Sequence, residues 1–216
     1  YVKAFPYASG YNQTIGKHEK TVSVGSLVAE WTVDSDVPND DTAGERNLST
    51  TGIGTEPGKV GNALVGSNGY AMMANEIDMG GNTLTFWLWP TGTDTGLFGD
   101  TTAVHVYALI ESNALTFGAY NHLETYGINS GEYYFVAFTF SGDSVNLFVN
   151  GEFIKSVIAS SSTYSRIIDT IGRASVGGTG TTNYRKMNCH MDQIRIFQGL
   201  LTTDDLENLY NDGAGC

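Results

Sequence analysis

The sequence is short of proline, basic residues and long apolar runs. Proline occurs only 4 times in 216 residues, and 11 lysines and arginines face 23 aspartates and glutamates, for a net charge of −12. Such an acidic chain is a poor partner for nucleic acid, and no apolar run approaches the length of a membrane span. We therefore expect neither nucleic-acid binding nor membrane insertion. Since initiator methionine and signal peptide are also missing, we expect a processed form or a piece of a larger protein.

Cysteine is scarce as well, with Cys189 and Cys216 alone. The two can pair in an oxidising compartment, where closing this loop would contribute about 3–4 kcal/mol on the chain-entropy account. The alternative is two free buried thiols in a reducing cytosol. We favour the disulfide because Cys216 ends a glycine-rich tail that has little else to hold it. No second ligand pair accompanies Cys189 and His190, which argues against a zinc site.

Glycine, by contrast, is abundant at 27 residues, and one hairpin is well marked within the sequence. Two runs rich in aromatic and β-branched residues, Tyr133–Phe140 and Val145–Val149, flank a Ser-Gly-Asp-Ser turn, and a second turn follows at Asn150-Gly151. Alternation bounded by turn residues predicts an antiparallel hairpin. Because both faces of the first run are apolar, we expect it to be covered on both sides or to line a groove.

The rest of the chain shows short strand patterns and a single helix pattern. Strands are predicted at 26–33, 70–73, 83–90, 103–111, 114–119, 152–158, 167–172 and 189–197. Polar loops are predicted at 34–51 and 75–82, with a polar linker between strands around 120–126. Thr202 or Thr203 can cap a terminal helix that ends at Asp212-Gly213. The pattern predicts an all-β antiparallel sandwich at 26–216, preceded by an aromatic arm at 1–25.

Several segments, in this order, resemble the laminin G-like jelly-roll branch of the concanavalin A-like lectin/glucanase superfamily. They are Gly58-Lys-Val-Gly-Asn-Ala-Leu, Leu84-Thr-Phe-Trp-Leu-Trp-Pro, Tyr134-Phe-Val-Ala-Phe-Thr-Phe, Val145-Asn-Leu-Phe-Val-Asn-Gly, Ile171-Gly, Met191-Asp-Gln-Ile-Arg-Ile-Phe and Gly199-Leu-Leu-Thr-Thr-Asp-Asp-Leu-Glu-Asn-Leu-Tyr. The resemblance implies a two-sheet jelly roll with a short C-terminal helix, and Cys189 with Cys216 resembles the late disulfide of laminin G domains. Such a fold hosts lectins, adhesion modules, glycanases and structural domains.

One segment, Glu76-Ile-Asp-Met-Gly-Gly, is similar to the E-x-D-x-x-E motif of retaining glycosidases in the same superfamily. Retention needs two carboxyl groups about 5 Å apart, one as nucleophile and one as acid/base. Here the sixth position is Gly81, which has no side chain to donate a proton. We therefore expect a surface loop and no catalytic activity.

Calcium is the more credible chemistry, because acidic loops supply the carboxylate and carbonyl oxygens that hard cations bind. The resemblance implies a calcium ligand at Asp192, completed by Asp34 or Asp36 near the first strand. The loop Asp94–Asp100 is a second candidate. The alternative is that Asp192 accepts hydrogen bonds from a turn or pairs with Arg195 or Lys186.

Aromatic side chains with polar neighbours can stack on pyranose rings and bond their hydroxyls. Tyr120, Asn121, His122 and Tyr126 are the candidate sugar-binding residues, since they lie in the predicted polar linker. We expect an extracellular or virion/cell-surface recognition or adhesion module that is lectin-like and not an enzyme, with a glycan or surface polysaccharide as partner. The alternative is a structural assembly protein, such as a virion decoration or surface-layer component, that oligomerises through residues 1–25.

Overall fold

A computed structural model describes residues 11–13, 22–24, 26–34, 46–91, 94–101, 106–119, 122–158, 166–175 and 184–214. Its elements, in chain order, are β1 (Tyr11–Gln13), β2 (Val22–Val24), β3 (Leu27–Trp31), β4 (Leu48–Pro57), β5 (Asn62–Asp78), β6 (Asn82–Pro90), β7 (Thr95–Gly99), β8 (Val106–Glu111), β9 (Ala114–Ala119), β10 (His122–Gly127), β11 (Tyr134–Ser141), β12 (Ser144–Val149), β13 (Glu152–Ile158), β14 (Ile167–Ile171), β15 (Arg173–Ser175), β16 (Tyr184–Lys186), β17 (Cys189–Gln198) and helix α1 (Thr203–Ala214). None of the helices in these residues is long and apolar enough to cross a membrane.

One large antiparallel sheet folds over on itself to make the two layers of a jelly-roll sandwich. Its strand order is β10-β9-β8-β7-β14-β5-β17-β6-β11-β12-β13, with β3 added beside β17 and β4 beside β5. The long strand β5 joins the layers, since its later part pairs with β14 and its earlier part with β17. At the opposite seam β10 and β13 contact each other, and Lys155 pairs with Glu124 at 2.9 Å. The sheet is thus nearly closed, and the predicted fold class is confirmed.

The central strand β11 is buried on both faces, as its sequence predicts. Val136 and Phe138 point into the main core between the layers, where neither is exposed to solvent. Phe135 and Ala137 point to the opposite face and join a second apolar cluster beneath α1, which contributes Leu206. The helix therefore covers the outer face of one layer.

Helix α1 begins at a reciprocal cap. The Asp205 N–H donates to Thr202 Oγ1 at 3.2 Å, and the Thr202 N–H donates to Asp205 Oδ2 at 2.9 Å. This arrangement satisfies two backbone donors at the helix start. The predicted helix is confirmed, although it runs to Ala214 and does not end at Asp212-Gly213.

The β15–β16 hairpin covers the outer face of the other layer. Ala174 packs against Tyr107 and Leu109 of β8. A Cβ at Gly96 of β7 would lie 2.2 Å from the carbonyl oxygen of Arg185, so the hairpin lies directly on a residue that must be glycine. This hairpin forms one wall of the cleft described below.

Several segments predicted as loops are wholly or partly strands. Residues 48–51, the end of the polar loop predicted at 34–51, are instead the start of strand β4, which pairs with β5 along its length. The first half of the Glu76 segment, residues 76–78, belongs to β5, and only residues 79–81 form the turn to β6. Residues 122–127 form an edge strand paired with β9, where we predicted a polar linker.

Within the N-terminal arm, Tyr11–Gln13 pairs with Val22–Val24 in a small antiparallel ladder. The remainder of residues 1–25 lies outside the described residues. Neither the domain boundary at residue 26 nor assembly through the arm is tested by this arrangement, and both stay predictions.

Candidate functional site

Two aspartates from distant parts of the chain flank one short loop, residues 58–62. Asp192, on β17, accepts a hydrogen bond at Oδ2 from the Val60 N–H at 2.8 Å. Asp34, just after β3, accepts one at Oδ1 from the Asn62 N–H at 3.0 Å. We call Asp34, Asp192 and residues 58–62 the acidic loop site. It brings together the two carboxylates that we predicted as calcium ligands.

The two glycines of this loop are required by the carboxylates. A Cβ at Gly58 would lie 2.6 Å from Asp192 Oδ2, and a Cβ at Gly61 would overlap the Asp34 carboxylate. Gly61 also has φ of +64°, a conformation that side chains disfavour. The Gly58 N–H donates to the Gly61 carbonyl at 2.9 Å, which closes the loop as a tight turn. The Gly-Lys-Val-Gly pattern in the sequence therefore has a local physical cause.

Asp192 is fully buried, and its two oxygens differ. Burial raises the pKa of the Asp192 carboxyl to about 6, although hydrogen bonds from the backbone of Val60, Gln193 and Lys59 lower it and the charge of Asp34 raises it. Oδ1 is buried and has no hydrogen-bond partner among the described residues. A buried acceptor of this kind is costly unless a cation or donor satisfies it.

The structure bears on the two alternatives to calcium at Asp192, which were hydrogen bonds from a turn and an ion pair with Arg195 or Lys186. Oδ2 does accept a hydrogen bond from a turn, as one alternative holds. Arg195, however, pairs with Glu30 at 2.6 Å, and Lys186 lies over the Tyr70 ring at 5.9 Å. Neither is an ion-pair partner of Asp192, so its Oδ1 stays unused.

The acidic loop site has the donor chemistry for calcium, with two carboxylates beside the backbone of a tight loop. Across the described ranges, no group of three or more His, Cys, Asp or Glu side chains is placed to hold a metal ion. Asp36 lies outside the described residues. The second candidate, Asp94–Asp100, is not a loop, because Thr95–Gly99 form β7 between β8 and β14. Asp94 lies 3.8 Å from Arg185 Nε, and Asp100 is buried.

The predicted sugar-binding residues are only partly described. Tyr120 and Asn121 lie outside the described residues. His122 is exposed on edge strand β10, and Tyr126 is half-buried on the same face of that strand, where it packs against the main core. Their role in sugar binding stays a prediction.

The predicted disulfide also stays a prediction. Cys189 is fully buried at the start of β17, within the main core, and Cys216 lies outside the described residues. Burial raises the pKa of the Cys189 thiol, so an unpaired Cys189 is neutral at physiological pH.

A polar cleft of about 330 Å³ opens between the β15–β16 hairpin and the kinked part of β5. It is lined by one aromatic ring, two amides, two cations, an acid and a hydroxyl: Ser67, Asn68, Asp94, Tyr184, Arg185, Lys186 and Asn188. Backbone geometry supports this shape, since Asn68 and Asp94 both have positive φ, near +60°. Volume and side-chain chemistry both suit a small polar ligand such as a saccharide.

Most of these cleft residues were missed by the sequence reasoning. Asp94 was considered only for calcium and Lys186 only as a partner of Asp192. A usable signal is the distribution of positive charge: Arg173, Arg185 and Lys186 are three of only 11 basic residues and lie within 14 positions of one another. Their convergence in space depends on how β15 pairs with β16.

The sequence and the fold agree on a family. A laminin G family model, described as the concanavalin A-like lectin/glucanases superfamily, matches residues 65–207. The chain belongs to this superfamily. The match spans β6, β11, β12, β17 and the start of α1, which carry most of the segments noted in the sequence. No curated protein matches the chain.

Solved structures share the fold at low sequence identity. Domain 4 of AbnA, an extracellular arabinanase of family GH43 from Geobacillus stearothermophilus solved with arabinotriose, aligns with a TM-score of 0.67 and 16% identity, covering 87% of this chain and 99% of that domain. A botulinum neurotoxin type C structure, whose cell entry depends on two ganglioside molecules, aligns with a TM-score of 0.65 and 14% identity over 87% of this chain and 51% of the toxin chain.

The binding domain of botulinum neurotoxin DC, solved with SialylT, gives a TM-score of 0.63 and 14% identity, covering 87% of this chain and 51% of that chain. The chain therefore spans about half the length of the toxin chains that it matches. At these identities the likeness shows the fold alone.

Proposed function

We propose that the chain is a non-catalytic carbohydrate-binding module that works outside the cell or on a surface. The observation that carries this proposal is the polar cleft, which combines the Tyr184 ring with the amides of Asn68 and Asn188 in a volume suited to a few sugar units. Amides bond sugar hydroxyls, and the face of the Tyr184 ring that Arg173 does not cover can contact the apolar face of a sugar ring. The glycan-related names of the similar structures support the same class of ligand.

A catalytic role is disfavoured by the Glu76 segment. Glu76 is exposed on β5, and the position where a glycosidase would have its acid/base is Gly81, in the turn that follows. Without that second carboxyl, retention has no proton donor. We expect no release of reducing ends from laminarin or agar-type polysaccharides, and release that is lost in Glu76→Gln would overturn this.

Calcium at the acidic loop site is part of the proposal. Asp34 and Asp192 would hold the ion, and Asp192 Oδ1 is a buried oxygen for which the described part of the chain supplies no hydrogen-bond donor. Calcium would neutralise the two carboxylates and stabilise loop 58–62 against β17. Calcium should raise the melting temperature in wild type and leave Asp192→Asn unchanged, whereas equal shifts in both would place any calcium elsewhere.

The test of function is a glycan-array screen of the purified chain with calcium and again with chelator. We expect reproducible binding that Asn188→Ala weakens, because Asn188 lines the cleft. His122→Ala serves as the matched variant for the β10 residues. Loss of binding in His122→Ala alone would move the sugar site to β10, and no binding on a broad array would contradict a carbohydrate-binding function.

Assembly through residues 1–25 is tested separately by the molar mass in solution. Deleting these residues should abolish oligomers if the arm joins neighbouring copies. An unchanged mass after deletion would count against assembly.

A further inference from the structure

Two cations lie directly opposite each other on the β15–β16 hairpin. Arg173 and Lys186 are Cα partners in its antiparallel register. Like charges in directly opposite positions of a ladder are destabilising. With only 11 basic residues in the chain, two of them in directly opposite positions suggest a role for this pair other than stabilising the hairpin.

No carboxylate relieves the repulsion. Among the described residues, no acidic group lies within ion-pair distance of Arg173 or Lys186. Arg173 instead lies 3.5 Å from the Tyr184 ring centre and 5.2 Å from that of Tyr70, and Lys186 lies 5.9 Å from the latter. Arg173 Nε is buried without a hydrogen-bond partner. The aromatic faces thus contact both cations, but they do not neutralise their charge as a carboxylate would.

The neighbouring arginine shows the contrast. Arg185, next to Lys186 on β16, has its guanidinium 3.8 Å from Asp94 and 3.4 Å from Glu111. Its Nε, like that of Arg173, is buried without a hydrogen-bond partner among the described residues, so the contrast lies in the nearby carboxylates. Its charge is compensated within the protein. The positive charges that no carboxylate balances are therefore those of Arg173 and Lys186. Lys186 lines the cleft together with Tyr184, and Arg173 lies opposite Lys186 on β15.

We propose that the cleft binds an acidic saccharide, with the carboxylate of the sugar held by Lys186, which lines the cleft, and attracted by the charge of Arg173 directly behind it on β15. This rests on the proposed carbohydrate-binding function and adds the class of sugar. Charge-assisted bonds from ammonium and guanidinium groups to a carboxylate are among the strongest polar contacts that a shallow site can make. Asn68 and Asn188 bond hydroxyls of the same sugar. The carboxylate also removes the repulsion between the two cations, so ligand binding and hairpin stability are coupled.

The experiment compares matched acidic and neutral sugars by calorimetry on the whole chain. The pairs are sialyllactose with lactose and trigalacturonate with galactotriose, and a sulfated disaccharide distinguishes sulfate from carboxylate. We expect binding of at least one carboxylated sugar, with its neutral partner about tenfold weaker or silent. In Lys186→Gln the affinity for the acidic sugar should fall about tenfold, and Lys186→Arg should keep it.

Lys155→Gln is the matched control, since it removes the same charge from an exposed lysine at the β10–β13 seam. It should leave binding unchanged. Lys186→Glu is a second variant that we expect to stay folded, because a glutamate opposite Arg173 should form a cross-strand ion pair. That variant should melt at or above the wild-type temperature while binding of the acidic sugar disappears.

The possible results separate the acidic-sugar assignment from the carbohydrate-binding function on which it rests. Equal affinity for acidic and neutral sugars, or binding of the acidic sugar unaffected by Lys186→Glu, overturns the acidic-sugar assignment and leaves the carbohydrate-binding function standing. Binding of the sulfated sugar alone overturns the carboxylate assignment. No binding to any sugar in the array or the calorimeter contradicts both. A lower melting temperature in Lys186→Gln would show that Lys186 stabilises the fold, which would contradict the proposal that the two cations are present to bind a ligand.

Discussion

Asp192 combines full burial with an oxygen that contacts no donor. Burial raises its pKa from 3.8 to about 6, so the folded state binds this proton more tightly than the unfolded state does. The resulting stabilisation is fully present below about pH 4 and is lost as the pH rises through about 6. At neutral pH the buried charge therefore lowers the stability of the protein when no cation is bound.

Replacing this charge should stabilise the calcium-free protein. In chelator at pH 7–8, Asp192→Asn should raise the free energy of unfolding by about 1–3 kcal/mol, because it removes the cost of a buried charge. The variant should also lose the fall in stability between pH 4 and 6. Urea denaturation across this pH range measures both effects. A less stable variant at pH 8 would show that the charged carboxylate makes a net favourable contribution.

Gly58 gives a second test of the acidic loop site. Gly58→Ala should cost about 1–3 kcal/mol, because its Cβ would meet Asp192 Oδ2 at 2.6 Å and the Ala63 nitrogen at 2.9 Å. Gly54→Ala is the matched control, since nothing lies within 4 Å of a Cβ there. Chemical denaturation of the two variants measures the free energy of unfolding that each substitution costs. Equal effects would mean that the loop adjusts to accept a side chain.

Helix α1 covers one face of the sandwich, and its position is set by its cap and by one apolar residue. Thr202 provides the cap, and Leu206 is fully buried against the cluster that contains Trp87 and Phe135. The ring centres of Trp87 and Tyr210 lie 5.7 Å apart, which adds aromatic contact to this interface. The helix is therefore an integral part of the fold.

The cap can be tested by a conservative pair of variants. Thr202→Ala should lower the free energy of unfolding by about 1 kcal/mol, because it leaves the Asp205 N–H without its acceptor. Thr202→Ser keeps the hydroxyl and should stay within a few tenths of wild type. Thermal denaturation followed by circular dichroism distinguishes them. A Thr202→Ser variant as unstable as Thr202→Ala would assign the effect to the lost methyl group.

In the whole molecule, the two layers meet around Phe138. Its ring centre lies 6.3 Å from that of Phe86 in the same layer, and 5.1 Å and 5.6 Å from those of Phe98 and Phe117 in the opposite layer. The seam between β10 and β13 holds a different contact, the exposed ion pair of Lys155 with Glu124. Stability should therefore reside in the core and much less in this seam.

Two alanine variants separate these contributions. Phe138→Ala should cost about 3–5 kcal/mol, through lost transfer energy and the cavity that remains. Lys155→Ala should change stability by less than about 1 kcal/mol, because exposed ion pairs are screened by water and salt. Urea denaturation gives both values. A large effect of Lys155→Ala would mean that the seam closes the sandwich cooperatively.

The elements that the sequence predicts well are those whose signal is local. The hairpin of β11 and β12 and helix α1 carry alternation, turn residues and a cap within a few positions, and each is confirmed. Strand β4 was missed because its residues are polar and mostly exposed, so they show no apolar alternation. Strand β10 was missed for a related reason, since its polar residues form an edge that pairs on one side only.

The sequence by itself determined the fold class and the family, because periodic patterns and short motifs carry these, and the family resemblance then implied Asp192 with Asp34 or Asp36 as candidate calcium ligands. Only the tertiary structure decided that Asp192 keeps an unused buried oxygen and that Arg173 faces Lys186 across a hairpin beside a polar cleft. The hydrogen bond from Val60 to Asp192 joins residues 132 positions apart. Such contacts depend on which strands meet in the closed sheet, and no local pattern of residues specifies that pairing.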